Sequence, residues 1–283
     1  MSWDGEWAAI GGGSRGLGLA LARRAATAGM KVAVVARDLE TLEAAAQKLK
    51  AAGSPEVRTF SVDLTRPLVQ SDSSEARRLQ RFFDEASVAL AVAAAGRSDR
   101  GHLTDLTIAE VHEAITLNVA AALQFSQLAR PALVRGRGTL VHVGSIAGLV
   151  AAPGMGTYSL SKAALVAMSR QMRQEFRREG IAVMLVCPGP IARADAGRRD
   201  DELARRRNLP EHLKAPGGGV NLGAIDPDRL ADKIFEAARR RQTELVVPGK
   251  VRLLAALAAV FPSLADRIIQ RSFAKQDEDQ RRN

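Results

Sequence analysis

Short apolar runs alternate with longer helical patterns along nearly the whole chain, and this alternation narrows the fold more than any other feature. Strand-like runs are Trp7–Ile10, Lys31–Ala36, Arg58–Val62, Val88–Ala93, Leu140–Val143, Ile181–Cys187 and Glu244–Val247. Helical patterns fall between them at Gly16–Ala28, Leu39–Ala52, Ser74–Ala86, Ile108–Arg135, Thr157–Arg178 and Pro227–Arg241. Strands that alternate with helices join by crossovers, so the sheet they form is parallel and covered on both faces. A strand buried on both faces is continuously apolar, as Val32-Ala33-Val34-Val35-Ala36 is. Aromatic residues are only 4% of the chain against 46% hydrophobic, so Ala, Val, Leu and Ile must fill the core. Without a linker, repeat or low-complexity block, residues 1–283 read as one domain, its core at about 6–250.

Two regions break the rhythm. Residues 190–225 are polar and glycine-bearing, with charges at Arg198–Arg207 and a Gly217-Gly218-Gly219 run. They follow the sixth strand at its carboxyl end, where ligands bind in open α/β sheets, so this stretch reads as a lid. After Pro248, the run Val251–Leu257 and the later Leu264, Ile268 and Ile269 predict a helical extension over about 250–275. Packing on the domain or on a second subunit is its first reading, and contact with a membrane surface its second.

Composition removes several function classes. The net charge of +10 comes from 41 basic and 31 acidic residues, mostly interleaved, with no aromatic-interleaved basic platform or reader motif for nucleic acid. Cys187 is the single cysteine, which excludes an intrachain disulfide and fits a reducing, cytoplasmic setting. It lies in the apolar run Val183–Cys187 and reads as a buried, inert thiol. His102, His112, His142 and His212 show no ligand spacing, so no metal is expected. Met1–Glu6 lacks a signal-peptide pattern, and no apolar stretch approaches the ~20 residues of a membrane span.

Two motifs carry chemistry. Gly11-Gly12-Gly13-Ser14-Arg15-Gly16-Leu17-Gly18 joins the first strand to the first helix. Glycines there let the backbone turn tightly and approach a pyrophosphate, whose charge faces the helix N-terminus. Far downstream stands the only tyrosine, Tyr158, with Lys162 four residues on. Residues i and i+4 share a helix face, and a cation beside a phenol favours the phenolate. That pair can give and take a proton at a carbonyl oxygen.

The spacing Gly12-x-x-x-Gly16-x-Gly18, followed about 140 residues later by Tyr-x-x-x-Lys, resembles the short-chain dehydrogenase/reductase family. The likeness covers roughly residues 6–250 and implies a Rossmann-type, doubly wound, seven-stranded parallel sheet with helices on both faces. It extends the site to Ser145, thirteen residues before Tyr158, and to Asn118 in the preceding helix. The implied catalytic set is Asn118, Ser145, Tyr158 and Lys162. The implied cofactor contacts are Gly12, Ser14, Arg15, Gly16, Leu17, Gly18, Arg37, Asp63, Leu64, Ala95, Gly96, Asn118, Tyr158, Lys162, Pro188, Gly189 and Ile191. Four departures stand out. Gly11 replaces the usual Thr, and Ala93-Ala94 replace Asn-Asn before Ala95-Gly96, which predicts a less well braced central sheet. Gly144 replaces the first of two serines, and Arg193 stands where a carboxamide-binding Thr is usual, leaving that contact to the Ile191 main chain.

The resemblance implies a nicotinamide cofactor. Ala36 occupies the place where an acidic residue would select NAD, and Arg37 follows it, with Arg15 in the glycine loop. Guanidinium groups suit a ribose phosphate. NADP(H) is therefore expected, with Asp38 as a counter-signal. The expected protein is an oxidoreductase moving a hydride between nicotinamide C4 and a lipophilic ketone, oxoacyl compound or alcohol. A homodimer or homotetramer is expected through Ile108–Arg135 and Thr157–Arg178. A catalytically quiet NADP-binding sensor with the same fold is the alternative.

Overall fold

The computed structural model describes residues 3–68, 73–192 and 223–271, together with Glu202, Arg205, Arg207 and Leu209. Seven strands form one parallel sheet: β1 (Trp7–Gly11), β2 (Lys31–Ala36), β3 (Val57–Ser61), β4 (Val88–Ala93), β5 (Thr139–Val143), β6 (Ala182–Pro188) and β7 (Glu244–Val247). Their order is β3-β2-β1-β4-β5-β6-β7. The order reverses between β1 and β4, so a crevice opens at their carboxyl ends, where a ligand binds in a doubly wound sheet.

Side-chain alternation along each strand divides the core into two layers. Ala8 and Ile10 of β1 and Val32 and Val34 of β2 pack beneath three helices. These are α1 (Gly16–Thr27), α2 (Leu39–Ala51) and α7 (Pro227–Arg239). Trp7, Ala9, Ala33 and Val35 face the opposite layer. That layer holds α3 (Ser74–Glu85), α5 (Ala121–Gly136) and α6 (Gly156–Phe176). Phe60, Phe82, Phe83 and Phe125 concentrate there, with three edge or tilted ring contacts between 5.2 and 5.8 Å linking them.

The predicted helix over Ile108–Arg135 is divided. A capping box at Thr107 and Glu110 starts α4 (Ile108–Ile115), a π-turn follows at Thr116–Ala120, and α5 continues the chain. Buried or half-buried side chains still recur every three or four positions through it, at Val111, Ala114, Asn118, Ala122 and Phe125, so the pattern reads as one helix. The other strand and helix bounds lie within a residue or two of the expected ones.

Residues 190–225 lie mostly outside the described residues, including Arg193 and Gly217–Gly219. The two ends of the stretch meet: Ala192 N donates to Ile225 O at 2.8 Å and Ile225 N to Pro190 O at 2.8 Å. After β7 come α8 (Lys250–Val260) and a further helix over 262–271. Of the helical extension expected over about 250–275, residues 272–275 lie outside the described residues.

Candidate active site

The glycine loop binds tightly to the sheet. Gly12 has φ +77°, and a Cβ built on it would lie 2.6 Å from Ala95 N. A Cβ on Gly18 would lie 2.1 Å from Gly12 O. No residue with a side chain can stand at either place without moving backbone. The loop delivers the chain to α1, whose N-cap, Arg15, makes no side-chain capping bond and whose first turn has no acidic residue. The first amides of a helix carry partial positive charge. At α1 that charge is left for an anion, so the residues present fit a pyrophosphate.

At the end of β2 the charges are arranged asymmetrically. Arg37 and Arg15 are exposed. Asp38 caps α2 by accepting from Thr41 N at 2.8 Å. Hydrogen bonds from the Thr41 side chain and backbone hold its carboxyl below the usual range, with a smaller contribution from Arg15. Its carboxylate therefore turns toward α2, 3.8 Å from Arg15 Nη2. Ser14 accepts a 3.3 Å bond from Thr41 Oγ1. Asp63, beyond β3, accepts from Thr65 N and Oγ1 at 3.0 and 2.7 Å. Burial pushes its carboxyl up, but these bonds, with Arg37 and Arg66, carry it below the usual value. Leu17 and Leu64 are buried, one in each of the two core layers.

The opposite side of the crevice is a buried polar lattice. Lys162, on α6, is only 4% exposed, and its Nζ donates to Val143 O at 2.9 Å. The same Nζ lies 5.8 Å from the centroid of the half-buried Tyr158 ring. Burial pushes the Lys162 ammonium down to about 8, so it keeps its charge at neutral pH. Gly96 lets the lysine in: a Cβ there would stand 2.9 Å from Asn118 Oδ1 and 3.3 Å from Lys162 Nζ.

Asn118 sits in the π-turn and is 1% exposed. Its Oδ1 accepts from Arg97 N at 2.8 Å, and its Nδ2 donates to Arg97 O at 3.1 Å and to Ser161 Oγ at 3.0 Å. Both amide protons are thus committed, while one lone pair of Oδ1 remains toward Gly96 and Lys162. Ser161 in turn donates to Tyr158 O at 3.0 Å.

Ser145 stands two residues after β5, capping the next turn, and is 6% exposed. Its Oγ accepts from Ala147 N at 3.1 Å, which leaves its own proton to donate. The turn after it, Ile146–Gly148, lies flush on α6: a Cβ on Gly148 would be 2.6 Å from the Lys162 carbonyl. Gly144 accounts for the missing first serine, since a Cβ there would meet Leu185 Cδ1 at 3.1 Å and Cys187 Sγ at 3.3 Å. Beyond it, Pro188 ends β6, and Gly189 N donates to Val247 O at 2.7 Å, with Ile191 starting the short bridge to Ile225. Burial, first, and Glu244 push the Cys187 thiol up to about 12, so it stays protonated. Among the described residues, no group of three His, Cys, Asp or Glu could hold a metal ion.

The sequence reading missed the residues that brace this lattice. Asp99 Oδ2 accepts from Thr157 N at 3.1 Å and Thr157 Oγ1 at 2.9 Å, supplying the negative charge that the first turn of α6 lacks. Arg207 donates to Asp99 Oδ1 at 2.9 Å and to Glu110 Oε1 at 2.5 Å. One sequence signal for Asp99 existed: a helix bearing Tyr158 and Lys162 with no acid or capping residue of its own.

Residues 6–203 match the family model described as short chain dehydrogenase, and the chain belongs to that family. It is 27% identical over 286 residues to the ketoacyl reductase HetN of Nostoc sp., covering 98% of this chain and 92% of that protein. Among solved structures it is similar in fold to an L-sorbose reductase from Gluconobacter frateurii complexed with NADPH and L-sorbose. There the TM-score is 0.73 at 23% identity, over 88% of this chain and 98% of that one. A short-chain dehydrogenase/reductase from Burkholderia phymatum in complex with NAD gives 0.75 at 23% identity, over 93% and 96%. The protein is an oxidoreductase of this family with a seven-stranded Rossmann-like sheet.

Proposed function

We propose that the protein is an NADP-dependent reductase of a lipophilic ketone or oxoacyl substrate, with the alcohol oxidation as its reverse. The observation that carries the reading is the buried Lys162 ammonium, held by Val143 O and placed beside the Tyr158 ring and Gly96. When bound, the nicotinamide supplies or accepts the hydride at C4.

The chain's own groups handle the proton and the oxygen. Tyr158 gives its phenolic proton to the substrate oxygen as negative charge develops there. Ser145, whose acceptor capacity is engaged by Ala147 N, donates its hydroxyl proton to the same oxygen and stabilises that charge. Lys162 stabilises the phenolate left behind and binds the ribose hydroxyls. Asn118, with one free lone pair on Oδ1, holds a water that returns a proton toward Lys162.

Arg15 and Arg37 support the choice of NADP, since both stand exposed at the end of β2 while Asp38 is engaged by α2. Gly12, Ser14, Gly16, Leu17 and Gly18 cradle the pyrophosphate. Asp63, Leu64, Ala95 and Gly96 line the adenosine side, and Pro188, Gly189 and Ile191 the nicotinamide side. The likeness to HetN, named a ketoacyl reductase, favours an oxoacyl substrate. The exposed Ile108 and Leu160 support an oligomer built on α4, α5 and α6.

The test is a carbonyl panel with NADPH and NADH on wild type and on Tyr158→Phe. Turnover should favour NADPH and fall ~10³-fold in the variant. Arg37→Ala should erase the preference between the cofactors. Full turnover by Tyr158→Phe, or equal affinity for both cofactors untouched by Arg37→Ala, defeats the corresponding part of the proposal.

A further inference from the structure

The stretch Leu253–Ala265 contains no charged residue, yet much of it faces solvent. Leu253 is 76% exposed, Val260 66%, Phe261 59% and Leu264 48%. A surface helix normally turns a charged face outward. Here α8 buries Val251, and the opposite side carries Leu253 and Val260, seven residues and two turns apart.

The cations stand at the margins of that stripe. At ~100° per residue, Arg252 lies to one side of Leu253 and Lys250 about 60° to the other. On the helix over 262–271, Arg267 and Arg271 follow Leu264 at i+3 and i+7, so they share its face. All four cations are exposed, and among the described residues none has a carboxylate partner in an ion pair. Asp266 is the only acid described in the tail. An apolar stripe edged with cations is the arrangement by which a helix lies in the headgroup layer of an anionic bilayer. A second copy of the same tail would bring these cations against themselves.

The tail also leaves the sheet at a telling place. It begins at Pro248, whose Cδ would be 3.4 Å from a Cβ on Gly189, at the carboxyl end of β6. A surface docked there lies on the side of the molecule where the crevice opens.

We propose that α8 and the helix after it seat the protein on an anionic lipid surface, without crossing it. The proposal stands independently of the substrate. It is tested by co-sedimentation of the full chain with vesicles of phosphatidylcholine alone or mixed with phosphatidylglycerol, at low and high salt, with light scattering in parallel. Wild type should partition onto the mixed vesicles, far less onto the neutral ones, and be released by salt. Lys250→Gln and Arg252→Gln should each weaken binding about five-fold, from ~1 kcal/mol per cation. Leu253→Glu with Phe261→Glu should abolish it while circular dichroism and the unfolding midpoint stay unchanged. Wild type remaining in the supernatant, or binding both vesicles equally and regardless of salt, overturns the proposal. A wild-type oligomer that falls to a monomer in the Leu253→Glu, Phe261→Glu variant, without any vesicle binding, assigns the stripe to a second copy instead.

Discussion

The centre of the molecule and its tail invert the usual distribution of polarity in opposite directions. Around α6 the chain buries Asn118, Ser145, Ser161 and Lys162, polar groups that lose hydration on folding. Along α8 it leaves Leu253 and Val260 in solvent. The first inversion is held by hydrogen bonds from several elements at once: Arg97 backbone, Val143 carbonyl, Ala147 amide. Among the described elements, the second is held by the contact of α8 with β7. A buried polar group must be satisfied or it costs stability, whereas an exposed apolar one costs the fold little. The centre trades stability for chemistry, and the tail is free to respond to its surroundings.

Replacing the lysine is the harshest way to test that contrast. Lys162→Met should cut activity ~10³-fold yet raise the unfolding midpoint, because a desolvated cation is exchanged for an apolar chain of similar length. In the wild type, the unfolded chain binds the lysine proton more tightly than the folded one. The cost is therefore in full force below about pH 8 and is relieved as pH rises from 8 toward the ordinary 10.5. Thermal unfolding followed across that range should show the rise in wild type and not in the variant. A midpoint that falls in Lys162→Met would show that the lysine supports the fold rather than straining it.

Asn118→Ala comes next. It strips three hydrogen bonds, one of them to the fully buried Ser161 Oγ, so chemical denaturation should register a loss of about 1–3 kcal/mol. A loss below ~1 kcal/mol would mean that water replaces the amide at once.

His142 gives a smaller and purely pH-dependent effect. Ser126 spends its one proton on Ala122 O at 2.7 Å, so it must accept from His142 Nε2–H at 2.9 Å. The ring is thus neutral with Nδ1 as its lone-pair nitrogen, and burial, then Lys162, pushes its pKa down to about 4. Between pH 6.5 and 4 the unfolded chain takes up a proton the folded one refuses. Stability should fall there by at most ~1.4 kcal/mol per pH unit. His142→Leu should flatten that slope; an unchanged slope removes the histidine from the account. Smallest of all, Leu253→Gln should move stability by less than about 0.5 kcal/mol in denaturant titrations. A larger loss would return the tail to the core.

Much of this was legible beforehand, for identifiable reasons. Continuous apolar runs such as Val32–Ala36, in alternation with helical patterns, suit doubly covered strands, and β2 spans Lys31–Ala36. The glycine loop was readable because Gly12 and Gly18 admit no Cβ at all. The Tyr158–Lys162 pair was named from its spacing and Asn118 and Ser145 through the family resemblance, but not the manner in which they are held. The π-turn hid inside an unbroken period. Asp99 hid because a carboxylate that caps a helix from 58 residues away leaves no local pattern. Long-range polar contacts are chosen by the fold, and a sequence shows only one partner at a time.

The packing of α1 against α7 has a consequence for how the chain can be divided. Similarity to the family model ends at residue 203. Yet Phe235 of α7 meets the edge of Trp3 at 5.2 Å and lies under the Arg24 guanidinium at 4.2 Å. Arg23 and Arg24 also pair with Asp228 and Asp232. The last helix of the sheet is thus the lid on the first. A fragment cut at residue 203 would bare the apolar side of α1 and precipitate, whereas one cut after Pro248 would keep that seam closed. The end of the family-model match and the mechanical boundary fall in different places along this chain.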